Sequence, residues 1–208
     1  MLTQRRMMLS AVLTLSAWLT AGAAGAANLS ETTIGDFSGD GLAPTQWQLE
    51  LGINTLDYTV QGAPRDLDYL RVDLPAGSVL KRIVLTGYEG GDTRGFIGVM
   101  DGPRFTVPAN QAVIRVGEIR GYALFGTAAD AAHVGDDLLP LMATADWALG
   151  FEGPLGAASY TFWFDQLGPS NYVTLAFDVA PVPLPGAAAL FASAACAGGW
   201  VGRKRARG

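Results

Sequence analysis

Short alternating segments, separated by turns rich in Gly and Pro, make up most of the chain between residues 28 and 180. Apolar side chains occupy every second position in Leu56–Val60, Leu70–Leu74 and Val173–Val179, the spacing that buries one face of a β-strand. Helical periodicity is scarce outside the two termini. The pattern predicts an all-β protein, and specifically an antiparallel β-sandwich.

The first part of this region combines a lead-in with two predicted strands. Residues 28–44 are mostly small, polar or turn-forming, so we expect an irregular segment. Gln46–Gly52 and Thr55–Val60 then alternate, and the bend at Gly52-Ile53-Asn54 predicts a hairpin. Further strands are predicted at Phe96–Met100, Ala112–Val116, Gly121–Phe125 and Ala158–Gln166.

The N-terminal segment, residues 1–27, has the pattern of a secretory signal peptide. Arg5 and Arg6 precede an apolar stretch, Met7–Leu19, and a string of small residues follows. Cleavage by signal peptidase is expected after Ala26 or Ala27, because each has a small residue two positions earlier. The alternative is an N-terminal anchor that is not cleaved.

The C-terminal segment, residues 181–208, has three parts in a fixed order. Two prolines disfavour a helix at its start, an apolar stretch long enough for a membrane-spanning helix follows, and a basic cluster then favours the cytoplasmic side. The first part is Val182, Pro183, Leu184 and Pro185, and the cluster is Arg203, Lys204, Arg205 and Arg207. These residues predict either a sorting signal or a permanent C-terminal anchor.

This segment resembles the tripartite PEP-CTERM sorting signal in its VPLPA-CTERM variant, with Gly186 in place of the usual Ala. The resemblance implies that an exosortase-type membrane protease cuts near the Pro-containing motif. The chain would be held in the inner membrane by its C-terminal helix during transit. It would then pass to the outer envelope, the cell surface or the extracellular matrix.

Removal of both termini leaves a strongly acidic domain, residues 28–180. Two of the 14 basic residues lie in the predicted signal peptide and four in the tail, whereas all 19 acidic residues lie between them, which gives a net charge near −11. Such a domain repels nucleic acid. The only cysteine, Cys196, lies in the predicted membrane helix, so the exported domain has no internal disulfide.

A second resemblance concerns the domain itself. Asp66-Leu67-Asp68-Tyr69, the alternating strand that follows and the turn Pro75-Ala76-Gly77 are similar to the opening strands of bacterial pre-peptidase C-terminal domains. Those domains are secreted β-sandwiches of jelly-roll type. The resemblance therefore implies a jelly-roll arrangement of the strands.

Calcium is the one cofactor for which candidate ligands exist. Asp36, Ser38 and Asp40 alternate and are followed by Gly41, as at the start of a calcium loop. The twelfth position is Trp47 rather than the required Glu, so a turn built on Asx hydrogen bonds is the competing interpretation. Asp66 and Asp68 are further candidate ligands, or residues that cap strands by hydrogen bonding.

Catalytic patterns are weak, and we expect a protein that is not an enzyme. The single histidine, His133, lies near Asp130, Asp136 and Asp137, but zinc sites and nucleophilic triads need further ligands or a nucleophile. A small secreted hydrolase stays open as an alternative, because a glycosidase needs only two carboxylates.

A non-catalytic surface or matrix protein is therefore the expected function, and carbohydrate binding, for example to exopolysaccharide, is the alternative. Tryptophans can stack on sugar rings, although core packing is the default for Trp47, Trp147 and Trp163. Trp163 is predicted to be exposed, because Phe162 and Phe164 would occupy the opposite face of its strand. We therefore expect Trp163 to contact a ligand.

Overall fold

The structure is a computed structural model and describes residues 25–109 and 115–182. The predicted signal peptide up to residue 24, the predicted tail from Pro183 onward, and most of the predicted strand Ala112–Val116 lie outside the described residues. Neither of the two helices in the described ranges has the length and hydrophobicity needed to cross a membrane.

Strands dominate the described residues, and the two α-helices among them are short. The strands are β1 (Asn28–Ser30), β2 (Thr45–Gln48), β3 (Gly52–Val60), β4 (Asp68–Asp73), β5 (Ser78–Gly90), β6 (Arg94–Asp101), β7 (Gly121–Gly126), β8 (Leu155–Gly156), β9 (Ser159–Asp165) and β10 (Asn171–Pro181). The helices are α1 (Glu31–Ile34) and α2 (Leu138–Ala143). The predicted irregular lead-in is therefore wrong in part, since β1 and α1 lie within it.

Two five-stranded sheets form the sandwich. The strand order is β1-β3-β10-β5-β8 in the first sheet and β2-β4-β9-β6-β7 in the second. The predicted all-β sandwich is confirmed, but the sheets are mixed rather than antiparallel, because β1 runs parallel to β3 and β2 parallel to β4. The chain passes from one sheet to the other after each of its first five strands. Successive strands in each sheet therefore run in the same direction over this part of the chain.

The predicted hairpin between β2 and β3 is wrong, since the two strands lie in different sheets. The buried side chain of Asn54 directs the crossing. Its Oδ1 accepts from the Glu50 amide at 2.9 Å, and its Nδ2 donates to the Glu50 carbonyl at 2.8 Å and to the Phe177 carbonyl at 3.3 Å. The two bonds to Glu50 satisfy backbone groups that lie outside the strands at the crossing.

The main core lies between the sheets and follows the predicted alternation. In β10, Val173, Leu175, Phe177 and Val179 are all buried. The β3 partners of the first three, Tyr58, Leu56 and Asn54, are buried as well. Phe162 of β9 packs edge-on against Phe177, with ring centroids 5.6 Å apart. Each such side chain contributes about 1.5–3 kcal/mol relative to an exposed one.

A second apolar cluster covers the outer face of the second sheet. It contains Tyr69, Phe105, Val107, Ile119 and Trp163, all buried. The connection between β6 and β7 supplies three of these side chains and folds over the sheet. The expected exposure of Trp163 is therefore wrong, because only 4 % of the side chain is exposed, although it does face away from the main core.

Candidate functional site

Three carboxylates from separate segments converge near one end of the sandwich. Glu31 opens α1, Asp36 follows that helix, and Asp68 begins β4; one oxygen from each lies within 4.8 Å of the others. We call these residues the acidic cluster. Asp36 is exposed, so the cluster is open to solvent on that side.

Local hydrogen bonds place Glu31 in this cluster. β1 pairs with β3 as far as Asp57, and the carboxylate of Glu31 then accepts from the next outward-facing amide, Thr59, at 2.6 Å. Its other oxygen accepts from the Phe37 amide at 3.4 Å. Burial, partly offset by these two bonds, raises the pKa of Glu31 to about 7.

Asp36 and Asp68 meet because their neighbours are bonded to each other. The amide of Tyr69 donates to the carbonyl of Ser38 at 2.9 Å, and the buried ring of Phe37 anchors the loop. The Ser38–Tyr69 bond and the Phe37 ring hold the loop that contains Asp36 against the start of β4, where Asp68 lies. Backbone pairing and apolar packing therefore set the short distance between the Asp36 and Asp68 carboxylates, and no attraction between the carboxylates themselves is needed.

Asp68 is the least solvated member of the cluster. Its residue is completely buried, and neither carboxylate oxygen has a hydrogen-bond partner in the described part of the chain. Burial, followed by the charges of Glu31, Asp66 and Asp36, raises its pKa to about 9. The Tyr58 hydroxyl is likewise buried and unpartnered, so unsatisfied oxygen atoms occur on both sheets.

The other calcium candidates from the sequence take different roles. Ser38 Oγ accepts from the Asp40 amide at 3.2 Å, and Asp40 Oδ1 accepts from the Leu42 amide at 2.9 Å, as in the Asx-type turn that was the competing interpretation. Asp66 lies outside the acidic cluster, and its pKa is raised mainly by burial. Glu31 was missed, because no pattern in the sequence predicted the helix that carries it.

A groove of about 860 Å³ lies on the outer face of the second sheet, at the side where β6, β7 and β9 run together. We call it the aromatic groove. Its floor and rim include four aromatic side chains: Phe96, Tyr122, Trp147 and Trp163. Six polar side chains also line it: Arg65, Asp92, Thr93, Arg94, Asp165 and Gln166.

The floor of the aromatic groove is built from neighbouring strands. The ring of Phe96 lies 4.7 Å from that of Trp163 and stacks on Tyr122 with centroids 5.9 Å apart. Gly98 makes this packing feasible, since a Cβ there would lie 3.1 Å from Phe96. The indole Nε1 of Trp163 is buried and has no hydrogen-bond partner among the described residues.

Trp147 stands at the rim and differs from the other tryptophans. Its side chain is 84 % exposed, and its φ of 62° lies in the left-handed region, where bulky residues are strained. The expectation of core packing is thus wrong for Trp147. The residue lies in a loop after α2 rather than in a strand, so no neighbouring strand covers it.

The polar side chains of the aromatic groove are partly engaged already. Arg65 forms an ion pair with Asp165, and Arg94 binds Asp130 at 2.6 Å. Asp92 Oδ1 accepts from the Thr93 amide at 2.6 Å. These contacts hold the carboxylates and arginines involved in fixed positions along the groove.

His133 and the acids near it have structural partners. Its ring Nδ1 lies 3.0 Å from the Gly126 carbonyl, and its amide donates to Asp136 at 2.8 Å. Asp137 caps α2 by accepting from the Leu139 amide at 3.1 Å and also accepts from the Ile83 amide. This region therefore holds the loop in place.

Comparison of the chain with protein-family models, with curated proteins and with solved structures finds no match. Functional inference therefore depends on the two sites described above and on the predicted terminal segments.

Proposed function

We propose that the protein is an exported, non-catalytic component of the cell surface or extracellular matrix, sorted by an exosortase-type protease through its C-terminal segment. The observation that carries this proposal is the position of the sandwich. β1 starts at Asn28, next to the predicted signal-peptide cleavage, and β10 ends at Pro181, next to the sorting motif. Both cuts would leave every described strand intact.

The intact mass of the protein, recovered separately from the membrane and the medium of a native-type host, tests this proposal. A mature species that ends between Val182 and Gly186 supports processing by a sorting protease. A species that retains Arg203–Gly208 and occurs only in the membrane would make the tail a permanent anchor and overturn the exosortase assignment.

We further propose that the sandwich is of the jelly-roll type. A jelly roll consists of a long hairpin whose eight strands wrap into two sheets. Four pairings support this arrangement, because they nest in order around the β6–β7 connection: β3 with β10, β4 with β9, β5 with β8, and β6 with β7. β1 and β2 then extend the two sheets at one edge.

Polysaccharide binding is a second candidate function, favoured by the aromatic groove. Sugar rings offer C–H faces that pack on aromatic side chains and hydroxyls that bind fixed polar groups. Trp147 presents an exposed ring that can pack on a sugar ring, and Asp92 and Arg94 line the groove and can bind hydroxyls. The net charge near −11 of the exported domain disfavours polyanionic chains, so a neutral polysaccharide is the expected ligand.

Affinity electrophoresis of the full-length protein in gels that contain neutral or acidic polysaccharides tests this candidate. Trp147→Ala should weaken retention by about tenfold or more. Leu149→Ala is the matched control, because Leu149 is 68 % exposed in the same loop and lies outside the groove. Equal retention of both variants, or no retention of the wild type on any gel, would remove the candidate.

An assay for new reducing ends separates binding from hydrolysis. Asp165 is occupied by Arg65 and Asp92 by a backbone amide, which supports a groove without a free acid and base pair. We expect no reducing ends above background after prolonged incubation. Their appearance would favour the secreted hydrolase instead.

A further inference from the structure

We propose that Glu31, Asp36 and Asp68 form a calcium site that ties the N-terminal segment to the sandwich. This site is independent of the aromatic groove and of the sorting signal.

The spacing of the acidic cluster fits one cation. Oxygen ligands lie about 2.4 Å from calcium, so two oxygens on the same ion are at most about 4.8 Å apart. The three carboxylates meet that limit in every pairing. The convergence of residues 31–36 with the start of β4 brings like charges together, which is unfavourable without a positive charge between them.

The state of Asp68 is a separate observation that points to a ligand. A buried carboxylate without a hydrogen bond or an opposite charge is strongly destabilising, and Asp68 has two buried oxygens without partners, one of them directed at Glu31 and Asp36. No Lys or Arg of the described ranges forms an ion pair with any of the three acids. A bound cation supplies the missing partner.

The ligand chemistry favours calcium over other metals. All three groups are carboxylates, whereas zinc prefers nitrogen and sulfur. Magnesium requires near-octahedral geometry at short distances, whereas calcium accepts an irregular set of six to eight oxygens. The acidic cluster is such an irregular set, because Glu31 is held by two backbone amides, Asp36 is open to solvent and Asp68 is fully buried. Water can complete the coordination on the Asp36 side.

The site would join elements that belong to different sheets. Glu31 directly follows β1 of the first sheet, and Asp68 begins β4 of the second. β1 contributes only three residues of pairing, so a shared ion would add a further attachment of this segment to the second sheet. Calcium therefore fixes this segment to the sandwich.

Calorimetric titration of the EDTA-treated, dialysed full-length protein with calcium and with magnesium provides the test. We expect one calcium per chain, with a Kd of about 10⁻⁴–10⁻³ M as in extracellular modules, and a rise in Tm of about 5 °C at 10 mM calcium. No calcium binding, or equal affinity for magnesium, would overturn the assignment. This titration needs no variant, so it stands even if a substitution prevents folding.

Two variants and one matched control locate the site. Asp68→Asn should abolish the calcium response, because it removes a carboxylate ligand of the site. Glu31→Gln should likewise abolish the response. Asp40→Asn keeps the acceptor for the Leu42 amide and should respond like the wild type, since Asp40 lies outside the acidic cluster. A full response in both cluster variants, or its loss in Asp40→Asn alone, would place the ion elsewhere.

Discussion

Arg65 and Asp165, one hundred positions apart, form an ion pair that closes one side of the aromatic groove, with Nε donating to Oδ1 at 3.2 Å. Asp165 is buried, whereas the Arg65 side chain is about one-third exposed. The hydrogen bond to Asp165 raises the pKa of the guanidinium. The pair thus connects the loop before β4 to the end of β9.

Removal of the arginine should therefore destabilise the fold. Arg65→Ala leaves the Asp165 carboxylate buried without its partner, and we expect a loss of about 2 kcal/mol in the free energy of unfolding, measured with urea. Arg115→Ala is the control, because the Glu118 side chain that it leaves unpaired is about half exposed, so the loss should be much smaller. Equal losses would show that Asp165 does not depend on Arg65.

The backbone of Trp147 offers a second prediction. Glycine adopts a positive φ without strain, so Trp147→Gly should raise the free energy of unfolding by about 1 kcal/mol. Trp147→Ala retains a Cβ and should show little of this gain. Urea unfolding of the two variants separates backbone strain from loss of the ring. A gain of equal size in both would attribute the effect to the side chain.

The crossing between the sheets depends on one amide side chain. Asn54→Ala removes the partners of the Glu50 amide and carbonyl, and we expect a loss of about 3 kcal/mol. Asn28→Ala, at an exposed position of β1, should change stability by less than about 0.5 kcal/mol. Thermal unfolding of both variants checks the difference. A small effect of Asn54→Ala would mean that water replaces the side chain at the crossing.

The structure also distinguishes the two predicted signal-peptide cleavage sites. The Thr55 amide donates to the Ala27 carbonyl at 3.1 Å, and the Ala27 nitrogen donates to Asn54 Oδ1 at 3.3 Å. Cleavage after Ala26 preserves both contacts, because a free amino group still donates. We expect Ala27 to be the first residue of the exported protein, as determined by N-terminal sequencing. A start at Asn28 would show that these contacts are dispensable.

Strands with strict alternation were predictable from the sequence, whereas their assignment to sheets was not. β9 and β10 match the predicted segments closely, because one face of each faces the main core. β2 pairs with β4 rather than with β3, because the chain crosses between the sheets at Glu50, whose backbone groups bond the Asn54 side chain. Periodicity does not encode which strand becomes the partner. The parallel edges of both sheets follow from that crossing.

The sites were less accessible to sequence reasoning, because both depend on contacts between distant segments. The face of Trp163 was predicted, but its burial depends on Phe105 and Ile119 from another connection. Asp36 and Asp68 were candidates for separate reasons, and only the pairing of Ser38 with Tyr69 brings them together. Glu31 joins them through a bond to the Thr59 amide, a contact that no sequence pattern predicts.

The position of β10 between β3 and β5 determines when the molecule can fold. The hydrogen bond from Thr174 to Asp57 spans 117 residues, so the central pairing of the first sheet cannot form until nearly the whole exported domain is available. Such non-local pairing is slow, since loop closure precedes any gain from contacts. A chain exported as proposed would therefore cross the membrane without a core and fold outside, while its C-terminal segment still holds it at the membrane.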